Sequence, residues 1–265
     1  MSENIVILGA GSGIAEALCQ RMAARGCGLV LCGRNTEELE RDAADLRTRH
    51  QTNVSVREFD ALNFDSHNEL WNQCLAQFDG NVDGAVLCFG TLPDQKACEE
   101  DLTQLRSAID VNLTAAASIL HPIAAHLESK KSGWLAVISS VAGDRGRQSN
   151  YVYGAAKAGL SAFLAGLRKR LQPSGVHVLT IKPGFVATPM TAGILDPKSP
   201  MVASPEQVAR DIDRAIAKRR NVIYTRWFWK WIMLIIRNIP ESIFKRLKLQ
   251  QPPTEPLRHV QITIA

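Results

Sequence analysis

Short runs of apolar and β-branched residues alternate along the chain with longer stretches whose apolar positions recur every three or four residues. Residues 4–8, 28–32, 54–59, 82–88, 133–139, 176–182 and 222–225 read as strands. Residues 13–24, 36–50, 65–78, 103–128, 150–171 and 204–219 read as helices. The last of these has a clear start: Ser204 can cap it, Pro205 suits its first turn, and Gln207 completes a capping box ahead of a Val208, Ile212, Ala215 and Ile216 stripe. Such β and α alternation predicts an α/β fold, a single Rossmann-type doubly wound parallel sheet of about seven strands with helices on both faces. The pattern divides the chain into an α/β domain over residues 1–225 and an amphipathic appendage over 226–265.

With 265 residues, 46% hydrophobic and 22% charged, the chain is long enough for one large core and too apolar for a disordered or collagenous class. Its six cysteines show no metal-ligand spacing and mostly fall in apolar stretches, so they are expected as buried, reduced thiols. The first four residues carry no basic cluster, and the apolar run that follows breaks at Gly9. The expected location is therefore the cytoplasm. The net charge of +5 is concentrated. Between Lys218 and Lys248 stand nine basic residues and one acid, Glu241, together with three of the five tryptophans.

After the first strand, Gly9-Ala10-Gly11-Ser12-Gly13-Ile14-Ala15 forms a glycine-rich turn into a helix, where a backbone without side chains can approach a pyrophosphate. The third glycine of the G-x-G-x-x-G fingerprint is missing, since position 14 is Ile, and G-x-x-x-G is the spacing that fits. At the end of the second strand an acid would accept the ribose hydroxyls of NAD. Here Cys32-Gly33-Arg34-Asn35 offers a guanidinium instead, which favours the 2′-phosphate of NADP(H) over NAD(H). Asp60-Ala61 follows the third strand, placed either to meet an adenine amino group or to cap the next helix.

The most specific chemistry is Ser140 followed by Tyr153 and Lys157. Four residues apart on a helix, phenol and ammonium share one face. A phenol used as general acid near neutrality needs its phenolate stabilised, which a neighbouring ammonium and a nicotinamide cation can do. Ser140, at the end of the fifth strand, can polarise a carbonyl.

Over about residues 4–225 these features resemble the short-chain dehydrogenase/reductase family. The resemblance implies that Ser140, Tyr153 and Lys157 are its catalytic serine, tyrosine and lysine, and that Asn112 is the asparagine holding a proton-relay water. It implies that Gly90 borders the cofactor after the fourth strand. It also implies that Pro183-Gly184-Phe185-Val186-Ala187-Thr188 lines the nicotinamide, Val186 through its backbone and Thr188 through its hydroxyl. Homo-oligomers are common in the family, and hydride transfer to a ketone from the B face is its reaction. Tyr151 is a decoy, because Ala155 stands four residues after it. Leu8 replaces the usual Thr, Ala15 the third Gly, and Cys88-Phe89-Gly90 the usual Asn-Asn-Ala-Gly.

From Arg226 to Arg237 the chain is too short and too charged to span a bilayer. Wound as a helix, Arg226, Lys230 and Arg237 share one stripe, and Trp and Ile fill the rest. A second amphipathic piece, with Ile243, Phe244 and Leu247, follows Pro240. Such a tail suits the headgroup plane of an anionic membrane, and equally a substrate lid or a dimer contact. Phe59-Asp60-Ala61-Leu62, Ser139 to Arg145, Val152-Tyr153-Gly154 and Arg237 to Phe244 resemble one branch of the family, the decaprenylphosphoryl-2-keto-erythro-pentofuranose reductases. That resemblance implies a lipid-linked keto-sugar phosphate as substrate, a partner oxidase that supplies it, and Arg145 or Arg147 as phosphate contacts. A reductase of another lipophilic ketone, 3-oxoacyl or steroid-like, is the alternative enzyme. A membrane-associated dinucleotide-binding protein without catalysis is the alternative from another class. No metal or nucleic-acid pattern is present.

Overall fold

The computed structural model describes residues 3–193, 196 and 198–247. Strand β1 (Asn4–Leu8) opens the sheet and enters helix α1 (Gly13–Ala23), and β2 (Gly28–Gly33) leads into α2 (Thr36–His50). After β3 (Val54–Glu58) come α3 (His67–Ala76), β4 (Gly84–Leu87), a short α4 (Gln95–Glu100) and α5 (Leu102–Ile109). The middle of the chain holds α6 (Ala115–Lys130), β5 (Trp134–Ile138) and α7 (Tyr151–Leu171). Next are β6 (His177–Pro183), a two-residue parallel pair β7 (Phe185–Val186) and β8 (Val202–Ala203), α8 (Pro205–Ala217) and β9 (Val222–Thr225). Two further helices follow, α9 (Trp229–Asn238) and α10 (Glu241–Phe244).

Seven strands form one parallel sheet in the order β3-β2-β1-β4-β5-β6-β9. Chain direction across the sheet reverses between β1 and β4, and their following loops diverge there. A crevice opens at the carboxyl ends of the strands. Alternation within each strand explains the two-sided core. Ile5, Ile7, Leu29 and Leu31 face α1 and α8, where Leu18, Met22, Val208 and Ile212 close the first layer. Val6, Leu8, Val30 and Cys32 point the other way, onto Trp71, Ile119, Leu120 and Leu164 of α3, α6 and α7. Both faces are dry, so the strands read as unbroken apolar runs.

The seven expected strands form with ends shifted by no more than two residues, and the capping box at Ser204 is realised, Gln207 N donating to Ser204 Oγ at 3.3 Å and Ser204 N to Gln207 Oε1 at 3.1 Å. All six cysteines are buried and free. Two features differ from the sequence reading. The helix expected over 103–128 is underwound to π geometry at Asp110–Thr114, between α5 and α6. The β7/β8 pair and α4 have too few residues to give a periodic signal.

Candidate active site

At the crevice, backbone geometry builds the first wall. Gly9 has φ +79°, and its amide and that of Ala10 both donate to Cys32 O, at 2.8 and 3.0 Å. A Cβ on Gly9 would stand 2.6 Å from Phe89 N, so the turn closes against the loop after β4 only with glycine there. Ser12 caps α1, its Oγ accepting from Ala15 N at 3.3 Å. The first amides of α1 then point into the crevice as an anion site favoured by the helix dipole. The atoms nearest a Cβ on Gly13 would belong to Pro205, Thr188 and Pro189, at 3.7–3.9 Å, so residues from both ends of the domain pack together at the start of α1. Glycine backbone and the positive end of that helix suit the phosphates of a dinucleotide.

The other expected nucleotide contacts divide. Arg34 is exposed beyond β2 and enters no ion pair among the described residues. Asn35, expected at the cofactor, instead spends its side chain on α2: Oδ1 accepts from Glu38 N at 3.3 Å and Nδ2 donates to Glu38 Oε2 at 2.8 Å. An Asn before a helix competes for the helix's own amides, and the cap wins here. Asp60 is exposed, and its Oδ1 accepts from Leu62 N at 3.0 Å, closing the turn beyond β3 beside Ala61.

Ser140, Tyr153, Lys157, Asn112 and Gly90 come together at the carboxyl ends of β4 and β5. Ser140 is buried, its hydroxyl accepting from Ala142 N at 3.1 Å and lying near enough to the Tyr153 phenol to influence its titration. Lys157 Nζ lies 5.8 Å from the centre of the Tyr153 ring and donates to Ile138 O at 3.2 Å. A Cβ on Gly90 would stand 2.8 Å from Asn112 Oδ1 and 3.3 Å from Lys157 Nζ, which places asparagine and lysine side by side. Asn112 is fully engaged, donating to Thr91 O and Ala108 O at 2.9 Å and accepting from Thr91 N at 3.2 Å. It sits in the π turn, where the extra residue per turn disrupts the regular carbonyl ladder.

Burial sets the charges. It pushes the Lys157 ammonium down to about 8, partly opposed by nearby Cys88. It pushes the Tyr153 phenol above its ordinary value, and the nearby Ser140 hydroxyl pulls it part of the way back. The sequence predicts stabilisation of the phenolate by both the neighbouring ammonium and a nicotinamide cation; in the protein by itself, desolvation sets the direction. Cys88 lies near Ser12 and Lys157, its thiol pushed by burial to about 12 and thus kept neutral.

The loop after Ser140 departs most from expectation. Arg145 does not face the cleft. Its Nη1 donates to the carbonyls of Ile236 at 2.7 Å and Ile239 at 2.6 Å, its Nη2 to Glu241 Oε2 at 2.8 Å, and its guanidinium stacks on Phe244, 3.7 Å from the ring centre. The orphan carbonyls at the end of α9 attract that cation and remove it as a phosphate contact. Arg147 is partly buried; Nη2 lies 3.4 Å from Met233 Sδ, and Nε has no partner. Asp144, nearly inaccessible, binds Lys182 Nζ and accepts from Tyr224 OH at 2.7 Å, bracing the ends of β5, β6 and β9. Burial and Asp144 push the Tyr224 phenol to about 12.

On the nicotinamide side, Pro183 ends β6, and Gly184 carries the ring of Trp229: a Cβ there would lie 2.0 Å from Trp229 Nε1. Val186 pairs with Ala203, and its carbonyl accepts from Thr191 Oγ1 at 2.5 Å. Thr188 caps a 3₁₀ turn, Pro189–Thr191, its amide donating to Thr191 Oγ1 at 3.2 Å. Tyr151 turns outward and donates to Glu99 at 3.0 Å, as the decoy reading expects.

The family profile described as "short chain dehydrogenase" matches residues 3–199, three quarters of the chain. The chain belongs to the short-chain dehydrogenases. It is an oxidoreductase of that family, and a dinucleotide, NAD(P), is the family's cofactor. A short-chain dehydrogenase relative described as an uncharacterized oxidoreductase of Mycobacterium tuberculosis is 37% identical over 243 residues, 92% of this chain and 96% of that protein. An uncharacterized oxidoreductase of Streptomyces coelicolor is 32% identical over 250 residues, covering 92% and 95%. Among solved structures, a Sphingobium yanoikuyae short-chain dehydrogenase in complex with NADPH superposes with TM-score 0.78 at 22% identity, covering 95% of this chain and 99% of that one. A Thermococcus sibiricus alcohol dehydrogenase complexed with 5-hydroxy-NADP gives 0.75 at 24% identity, covering 86% and 97%.

Sequence reasoning missed Asp144, Lys182, Tyr224 and Trp229. The first three are distant along the chain and joined only by the ends of strands, so no local spacing marks them. Trp229 carried a signal, the aromatic run, but not its direction.

Proposed function

We propose that the protein is an NADPH-dependent carbonyl reductase that acts on an amphiphilic ketone, with a polyprenyl-phosphate-linked 2-keto-pentofuranose as the first candidate. The observation that carries the reading is the convergence of buried Ser140 and Lys157 on the Tyr153 phenol, with Lys157 Nζ 5.8 Å from the ring centre and Asn112 beside it. The glycine turn and the first amides of α1 would hold the cofactor, which when bound would supply hydride. Ser140 and Tyr153 hold the substrate oxygen between two hydroxyl donors, and Tyr153 gives it the proton. Lys157, charged below about pH 8, stabilises the phenolate left behind, and Asn112 and Thr91 fix the floor beside it. Arg34 selects the 2′-phosphate through a charge-assisted contact.

Support for an amphiphilic substrate comes from α9. Its inner face, Trp229 and Met233, packs against Val141 next to Ser140 and gives the cleft an apolar wall. Arg147, its guanidinium desolvated, near Asp144 but in no ion pair among the described residues, is the cation available there for a substrate phosphate. The same apolar wall favours the second reading, a 3-oxoacyl or steroid-like ketone without phosphate. NADPH oxidation measured with a panel of lipid-linked and soluble ketones separates them. Turnover restricted to phosphate-bearing lipids supports the first, turnover of neutral ketones alone the second, and no turnover with any carbonyl rejects both.

A further inference from the structure

Helix α9 has two apolar faces, and only one of them meets protein. Trp229 is 3% exposed and Met233 0%, packed with Tyr224, Phe228, Ile232 and Ile236 over Val141. On the other side Trp227 is 74% exposed, Trp231 54%, Leu234 50% and Ile235 67%. With 3.6 residues per turn, the two groups are centred about 150° apart around the axis. Ile243 and Leu247 extend the outer face beyond α10's start. Of the thirteen large apolar side chains exposed among the described residues, these six lie within the last 21, so they form a patch.

A helix that served only as a wall of the cleft would be polar outside. This one is edged with cations. Lys230 stacks near Trp231, its Nζ 5.5 Å from a ring centre, and Arg237 falls about 20° from Lys230 around the helix. Lys230, Arg237, Lys245 and Arg246 are exposed and enter no ion pair among the described residues, while the one acid nearby, Glu241, is held by Arg145. Arg226, expected in the same stripe, is not part of it. The helix begins at Trp229, and the Arg226 guanidinium clasps the carbonyls of Pro200 and Val202. Lys248 lies outside the described residues.

We propose that the outer face of α9, with Ile243 and Leu247, docks on an anionic lipid surface. Tryptophan and isoleucine enter the headgroup boundary, and the flanking cations meet lipid phosphates. Ten residues are too few to span a bilayer, so the contact is peripheral. Charge decides the occupant: a second copy seated face to face would set these cations against their own equivalents, with Glu241, the one acid among residues 226–247, already paired to Arg145. The inference stands apart from the reductase reading, because the surface binds lipid whether or not the cleft turns over.

The test is co-sedimentation of the full chain with vesicles of phosphatidylglycerol and phosphatidylcholine, against phosphatidylcholine alone. Expected are binding to the anionic vesicles, at least a tenfold loss in Trp231→Ser/Ile235→Ser and in Lys230→Glu/Lys245→Glu, and weakening as salt rises. Unchanged thermal unfolding of both variants shows that the fold is intact, as exposed positions require. Wild-type protein left in the supernatant, or equal binding by the variants, overturns the proposal. So does a dimer in solution, broken by the same substitutions without any vesicle binding, which assigns the face to a second copy. Absence of vesicle binding would leave reductase turnover untouched.

Discussion

The glycine turn and the C-terminal arm flank the same cleft, yet different physics holds each in place. The turn is a backbone construction: a positive φ at Gly9, two amides on one carbonyl, and a capped helix. It tolerates Leu8, Ala15 and Cys88-Phe89 in place of the family's usual residues, because those side chains pack into the core or beside it and the turn's own hydrogen bonds remain. The arm depends on particular side chains. Trp229 lies flat on Gly184, and Arg145 closes the end of α9. A backbone-built wall is therefore robust to substitution, and a side-chain-built wall is free to specialise. In the proposed function, cofactor recognition belongs to the first wall and substrate selection to the second.

The largest expected effect comes where the walls meet. Tyr153→Phe removes the proton donor and should lower turnover by about 10³-fold, within the range of general acid catalysis, with NADPH affinity unchanged by fluorescence titration. Loss of affinity as well would mean that the phenol also builds the cofactor slot. Next, Trp229→Ala should cost the arm about 3 kcal/mol of docking, as large-to-small changes in a core do. Hydrogen exchange should show α9 opening while α1 stays protected; equal opening of both would erase the contrast between the walls.

Arg34→Ala tests the nucleotide side. Losing a charged contact worth about 1.5–3 kcal/mol should weaken NADPH binding by about 10- to 100-fold and leave NADH binding as it was. Arg145→Ala should loosen the arm by about 1 kcal/mol, read as a modest fall in unfolding temperature, because water replaces part of the carbonyl cap.

The smallest effect is a pH dependence with two signs. Lys157 is held at about 8 by burial, below its value in the unfolded chain, so its ammonium destabilises the fold and does so fully below about pH 8. As pH rises from there toward ~10.4, that cost disappears while the charge needed by the phenolate is lost. Turnover should fall above about pH 8, and wild-type stability should rise relative to Lys157→Met over the same interval. Parallel curves for the two proteins would show that Lys157 is not desolvated.

Much of the first wall was legible without coordinates. A glycine turn after an apolar strand, and a Tyr and Lys one helical turn apart, are local spacings, and the structure keeps them local. Asn112 was legible in identity but not in setting, since a π turn in a run of good helix formers leaves no mark in residue type. Arg145 and Arg147 looked alike because both are basic and two residues apart. What separates them is which one can reach the end of a helix ninety residues away.

The residue order alone determined the parallel sheet, its seven strands, the glycine turn and the tyrosine and lysine one helical turn apart, since each follows from periodicity or from neighbours within one helical turn. Tertiary structure decided which arginine is spent on a helix end, that Asp144, Lys182 and Tyr224 form a brace, and which face of α9 is turned inward. Those depend on contacts between segments far apart in the chain, and an aromatic helix with two apolar faces carries no instruction about which one to bury.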